Sequence, residues 1–356
     1  MNMIELHIIQ SFPVTCLNRD DLGAPKSALF GGVQRARVSS QCWKRAIRSL
    51  AAENKPQLFA GKRGHFVAEL IEKAMIIKEL TEDVAKKAGK EIAAFVGKTN
   101  TKYKNGHKTE VALYFSPGEI EAIAEQAVSD YNENGKIEPK KGALKKIITS
   151  SKIKDLADIA LFGRMVASDH SLMLEGAANF SHAISTHKVS NEIDFFSAVD
   201  DLKPGEAEGA GHIGTLEFNS ACYYRYIGIN LDLLTDKDHL RHFTKEELDT
   251  VLDTFLRSCL EANPTARKNS QFGYTRPDYV LGLRRIGQPL SLANAFEIPI
   301  NVDGKGYVEK SKDNLKKHFV NMKETWSIKT DVETEIPKAK IGEFIKRLLD
   351  GGPVNA

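Results

Sequence analysis

Gln41, Lys44, Arg45 and Arg48 recur at i, i+3, i+4 and i+7, so on a helix their side chains share one face. Ser39 or Ser40 is a ready N-cap for that helix, which places three cations beside unpaired N–H groups and the positive end of a helix dipole. Such a terminus favours anions. Like charges packed there cost a few tenths of a kcal/mol per pair unless an anion sits among them. A phosphate backbone is the natural anion. From Leu22 to Ala52 there is no Asp or Glu, although about four would be expected at the chain's average, and Lys26, Arg35 and Arg37 add to the positive charge. Gly31 and Gly32 would let the main chain approach a phosphate closely. A solvated basic helix face explains the same composition, and at this point both readings stand.

The elements that must hold these residues follow from periodicity. Ile4, Leu6 and Ile8 alternate within residues 3–11, a strand signature. Residues 18–38 read as a loop with Gly23, Pro25, Gly31 and Gly32, and the capped helix then runs to about Ala52, with Trp43, Ala46, Ile47 and Leu50 as its core stripe. Residues 60–165 are helical in texture. Within them Ser116, Pro117 and Glu119 form a helix-start signature. Strand-like sequence returns at 182–190 and 217–232. Between these, residues 194–215 have apolar flanks and a Gly-, Pro- and Glu-rich middle, which suggests a projecting hairpin. The last third adds a helix at 244–261, a strand near 278–286, and helices at 309–325 and 339–350. This is an α+β fold with one helical and one loop insertion.

Bulk properties narrow the classes. The 356 residues carry 50 Lys and Arg against 47 Asp and Glu, a net charge of +3, so any basic surface must come from local clustering. The opening MNMIELHIIQSF lacks a basic segment followed by a long apolar one, so no secretory signal is expected. No run approaches a membrane span. The four cysteines lie far apart without a CxxC pair, which predicts reduced thiols and no structural zinc site.

A second acid-free stretch between Glu138 and Asp155 carries Lys140, Lys141, Lys145, Lys146, Lys152 and Lys154. Lys141 and Lys145 share a helical face opposite Leu144, Ile147 and Ile148. Lysine attracts phosphate as a mobile point charge without fixing a register; a solubilising face is the plainer alternative. Among catalytic candidates, Asp20 and Asp21 are the carboxylates near the first basic cluster. A metal-assisted phosphodiesterase needs more oxygen ligands or a general base, so a loop-capping role is favoured. His182 and His187 face opposite sides of a strand and cannot chelate together. Neither a GxSxG, a P-loop nor an HExxH motif occurs. The residues thus argue for binding without catalysis or cofactor.

Eight segments occur in an order that carries a resemblance: CLNRDD (16–21), Lys26, FGGVQRARVSSQCWKRAIR (30–48), DIALFGRM (158–165), HAISTHKV (182–189), AVDDL (198–202), GHIGTLEF (211–218) and PLSLANAFE (289–297). Together they closely resemble the backbone subunit of type I-E Cascade, the CasC family, seventh among the CRISPR-associated families. The match runs to about residue 300; it is looser in the helical insertion and weak in the last fifty residues.

The resemblance implies a hand-shaped protein of the cytoplasm. Its RRM-like (ferredoxin-like) palm would comprise residues 1–58, 181–193 and 217–356, its helical fingers 59–180 and its thumb 194–216. It implies copies assembled head to tail along a CRISPR guide RNA, together with other Cascade subunits, presenting the guide to target DNA. Such a heterologous interface makes a helical filament. Each thumb would insert at a kink where one nucleotide is flipped out. Carried over by motif, Arg19, Lys26, Ser40, Gln41, Lys44, Arg45 and Arg48 would hold guide phosphates, Met165 would pack against bases beside the kink, and Phe196 and His212 would flank the thumb. Without the resemblance, Met165 reads as an ordinary core methionine. Phe195 stands where this family often has tryptophan. Lys140, Lys141, Lys145 and Lys146 would meet the incoming DNA duplex. Distantly related type III backbone subunits cut RNA with an aspartate in a similar loop, which makes an endonuclease acting through Asp20 and Asp21 the alternative.

Overall fold

A computed structural model of the protein describes residues 1–98, 108–137, 142–150, 152–166, 168–198, 212–302 and 304–351. In chain order these form β1 (Asn2–Thr15), β2 (Ser27–Phe30), β3 (Val33–Val38), α1 (Ser40–Asn54), β4 (Lys62–Gly64), α2 (Val67–Ile77), α3 (Glu82–Gly97), β5 (Leu113–Phe115), α4 (Pro117–Asn134), α5 (Ala143–Ser150) and α6 (Ala157–Phe162). There follow β6 (Ala178–Phe180), β7 (Ala183–Ser185), β8 (Glu192–Ala198), β9 (His212–Asn230), α7 (Leu231–Leu234), α8 (Lys245–Glu261), β10 (Tyr279–Ile286), α9 (Val308–Thr325), β11 (Val332–Ile336) and α10 (Ile341–Asp350). Two units result. The first holds Met1–Ile47, Asn179–Gly228 and residues 255–351; the second holds Arg48–Ala178 and Ile229–Thr254.

The first unit is built on one sheet of order β11-β10-β1-β9-β7-β3-β2, with β6 and β8 also paired to β9. β1 runs antiparallel to β10 with Ile4 opposite Arg284 and Ile8 opposite Val280. The alternation of Ile4, Leu6 and Ile8 suggests a strand with one wet face, but β1 is buried on both faces from Met3 to Gln10. Its second face carries the polar side chains Glu5 and His7, which find partners inside the fold, although His7 Nε2 has none among the described residues. Glu5 forms a buried ion pair with Arg285, accepts from Tyr226 Oη at 2.6 Å and from Leu290 N at 2.8 Å. Tyr224 Oη accepts from Leu292 N at 2.9 Å and lies 3.0 Å from His7 Nδ1. Burial, and then Arg285, push the His7 imidazole down to about 3, so the ring is neutral and shares a hydrogen bond with the Tyr224 hydroxyl. Leu290 and Leu292 belong to PLSLANAFE, whose backbone is therefore clamped by the sheet. Ile9, Tyr279, Leu281, Leu283, Phe296, Leu315 and Phe319 complete this core.

Residues 18–38, expected as a loop, instead contain the β2–β3 hairpin. Phe30 pairs with Val33 across Gly31 and Gly32, whose φ values of +59° and +74° are those of a two-residue hairpin turn. The close approach at Gly31 is intramolecular, because a Cβ there would lie 1.7 Å from the Glu297 carbonyl oxygen.

In the second unit, α2, α3, α4 and α5 enclose a core that includes Ile71, Met75, Ile92, Ile120, Ile123, Leu144 and Leu172. The Ser116–Glu119 signature forms a full capping box at the start of α4. No helix among the described residues is long and apolar enough to cross a membrane.

Candidate nucleic-acid interface

Ser39 caps α1, its Oγ accepting from Cys42 N at 3.3 Å, and the Ser39 N–H itself donates to Asn18 Oδ1 at 2.9 Å. Asn18 O accepts from Lys26 N and Lys26 O accepts from Arg37 N, both at 2.9 Å. The loop that carries Arg19 and Lys26 is thereby fastened to the helix that carries Gln41, Lys44 and Arg45. Asp20 serves this loop as a turn former: its Oδ1 accepts from Leu22 N and Ala24 N, each at 2.9 Å. One oxygen of that carboxylate is thus engaged by two backbone donors.

The acid-free run sorts into structural and available cations. Arg35 is fully buried, and its guanidinium donates to the carbonyls of Phe30, Ser185, Phe296 and Glu297. It is a strut. Arg37 donates from Nε to Ser27 O and meets His182 Nδ1 at 3.2 Å. Arg19, Gln41 and Arg45 are exposed, while Lys26, Ser40 and Lys44 are half-buried. Lys44 lies over the Phe180 ring at 5.1 Å, and burial holds its amine below the usual lysine range. Among the described residues no carboxylate pairs with Arg19, Lys26, Lys44 or Arg45. Lysines elsewhere do find partners, such as Lys78 with Glu125, Lys154 with Glu247 and Lys316 with Glu335. A patch of cations without counter-charges, beside a helix start, is suited to a polyanion.

Arg48 differs from the others. Its guanidinium sits over the Tyr114 ring at 5.2 Å, and Tyr114 Oη donates to Asp158 Oδ2 at 2.7 Å. The core stripe of α1 is Trp43, Ile47 and Ala51, with Ala46 and Leu50 only half-buried; the buried line lies nearer to Trp43 than the expected stripe.

DIALFGRM contributes two buried charges and one exposed thioether. Asp158 accepts from Tyr114, Gly61 N and Ile159 N. Burial is the largest influence on its carboxyl and pushes it up to about 6, against the pull of those donors and of Arg48. A folded-state value above the ordinary one means that its stabilisation is present at about pH 4 and lost as pH rises through about 6. Asp158→Asn should therefore gain stability relative to wild type across that window, measured as urea midpoints at each pH; a constant offset between the two proteins would refute this. Arg164 is buried and ion-paired with Glu119 at 2.6 Å. Met165, beside it, is 80% exposed, so the ordinary core reading of that methionine is overturned.

The predicted projection is a hairpin. β8 pairs antiparallel with β9 from Glu192–Phe218 to Ala198–His212. Phe195 is 73% exposed, and Phe196 lies across Gly214, where a Cβ would meet its ring at 2.4 Å. His212 is in β9 at the outer end of this pairing, and the tip between the strands lies outside the described residues.

Of the second basic segment, Lys140 and Lys141 lie outside the described residues. Lys145 on α5 is ion-paired with Asp238 at 2.8 Å, Lys154 with Glu247, and Lys146 is exposed. The four cysteines are free thiols. Among the described residues no group of three or more His, Cys, Asp and Glu side chains is arranged to hold a metal ion.

This fold recurs in known assemblies. A chain of a CRISPR RNA-guided surveillance complex, pre-nicking, matches at a TM-score of 0.78 and 30% identity, covering 92% of this chain and 90% of that one. A chain of another CRISPR RNA-guided surveillance complex shares the fold at a TM-score of 0.62 and 23% identity, covering 98% of both. A comparison with curated proteins found no match. The family model described as CT1975-like protein matches residues 4–343, and the chain belongs to that family. The resemblance carried by the eight segments is thus shown at the level of CRISPR surveillance-complex subunits.

Proposed function

We propose that the chain is a non-catalytic backbone subunit of a type I-E Cascade complex in the cytoplasm, binding CRISPR guide RNA and stacking head to tail with further copies along it. The observation that carries this reading is the set of cations without acidic partners among the described residues, Arg19, Lys26, Lys44 and Arg45, gathered on one fastened loop and the capped start of α1. Ser40 and Gln41 would add hydrogen bonds to the same phosphates, and Arg48 would contribute from the next turn. Four strands of the sheet, taken in chain order as β1, β7, β9 and β10, lie in the order fourth-first-third-second. That is the order of a ferredoxin-like sheet, which supports an RRM-like palm. The β8–β9 hairpin with Phe195, Phe196 and His212 would act as the thumb, and exposed Met165 as the base contact of the fingers. Target DNA would be met by Lys146 and its neighbours Lys140 and Lys141, with Lys145 moderated by Asp238. The endonuclease alternative finds no support in the loop, where the Asp20 carboxylate accepts from Leu22 and Ala24.

Phosphate contacts position a strand without specifying its sequence. Purified protein mixed with labelled CRISPR RNA and magnesium should therefore retain the RNA intact with little sequence preference. Its log affinity should fall by about 0.7 to 0.9 per contacted phosphate for each log unit of salt. Discrete fragments that disappear with Asp20→Ala or Asp21→Ala would replace this reading with the endonuclease.

A further inference from the structure

Phe272 and Tyr274 are exposed at 73% and 42%, and their rings are stacked on one another, 5.2 Å between centroids and 5° from parallel. Two large aromatic rings held in parallel at a surface lose hydrophobic stabilisation that burial would give, so their support is informative. Between them Gly273 is pressed against the end of β1, where a Cβ would come within 2.0 Å of Thr15 Cγ2. On one side Thr275 is bolted to β1: its Oγ1 donates to Ser11 O at 2.9 Å, and its carbonyl accepts from Gln10 Nε2 at 3.0 Å. On the other side Arg267 donates to Glu217 O and Gly23 O, each at 3.3 Å. Gly23 belongs to the loop that carries Arg19 and Lys26. The segment that carries the aromatic pair is thus tied to β1 and, through Arg267, to the loop that carries Arg19 and Lys26.

The surrounding charge favours a polyanion. No Asp or Glu occurs from Ala262 to Pro277, and Lys268 and Arg276 are exposed there. Aromatic faces flanked by cations on an acid-free segment are how proteins hold single strands, because every base has a π-face and stacking tolerates any sequence. A duplex offers no free base face along its length.

We infer that the stacked Phe272–Tyr274 pair is a base-stacking platform for the guide strand, a contact additional to the α1 cations. The inference rests on the guide-RNA reading above and extends it. Phe272→Ala/Tyr274→Ala in the full chain should lower affinity for single-stranded RNA by about 5- to 150-fold, the range of one lost base stack, with the salt slope unchanged. Phe272→Tyr should retain affinity. Wild-type protein irradiated with RNA containing 5-iodouridine should crosslink at Phe272 or Tyr274, a readout that does not depend on a variant folding. Wild-type affinity in the double variant, altered self-association without altered RNA affinity, or crosslinks mapping only elsewhere would each overturn the platform. Failure of wild-type protein to bind RNA at all would instead overturn the underlying reading, so the two failures are distinguishable.

Discussion

Lys26→Ala/Lys44→Ala/Arg45→Ala is expected to strip RNA from the purified protein and to lower its RNA affinity by about a thousand-fold or more, the loss of three charge-assisted phosphate contacts at about 1.5 kcal/mol or more each. The salt dependence should flatten at the same time, by about 0.7 to 0.9 per removed contact. The fold should survive, because these three cations have no acidic partner among the described residues and removing them leaves no buried carboxylate behind. Arg48 is left out for that reason: it lies beside Asp158 and over Tyr114, and its loss would confuse a binding defect with a packing one. Arg35→Ala would mislead in the same way, since its guanidinium supports four carbonyls. Filter binding across a salt series checks both quantities. Unchanged affinity together with an unchanged slope would show that the guide runs elsewhere on the molecule.

Arg164→Ala should destabilise the helical unit by about 3–5 kcal/mol, the usual consequence of removing one partner of a buried ion pair. The side chains of Arg164 and Glu119 are only 6% and 2% exposed. Glu119 cannot turn to water, because its other oxygen closes the α4 capping box on Ser116 N. Arg164 also donates from Nε to Leu172 O at 2.9 Å and from Nη1 to Tyr114 O at 3.4 Å, carbonyls that would be left without that donor. Lysine should rescue poorly, since it lacks the planar fork that reaches several acceptors at once. Met165→Ala, one residue away, should stay within about 0.5 kcal/mol of wild type because that side chain is exposed. Urea unfolding followed by circular dichroism separates the two variants. If Arg164→Ala unfolds at the wild-type midpoint, the ion pair contributes nothing.

Much of this molecule is written in local sequence. The α4 capping box follows from Ser116, Pro117 and Glu119, and the start of α1 from Ser39, since these features need only residues within one helical turn. The antiparallel β8–β9 pairing follows from the apolar flanks around a Gly- and Pro-rich middle. The β2–β3 hairpin was also legible, because Phe30-Gly31-Gly32-Val33 is a two-residue turn signature between short strands, although glycine content alone suggests a loop. The Phe272–Tyr274 pair had a signal as well, two aromatics two residues apart in an acid-free stretch. That pattern gains meaning only once both rings are known to be exposed.

What the sequence by itself determined was where charge accumulates and which helices and strands can form, because composition and periodicity are properties of neighbours along the chain. Which of the cations are available was decided only by the tertiary structure. Arg35, Arg37 and Arg164 look like Arg45 in a string of letters, yet carbonyls and side chains elsewhere in the fold claim the first three. Glu5 is buried because Arg285, Tyr226 and the Leu290 N–H meet it inside the fold, which removes the cost of leaving a buried charge without a partner.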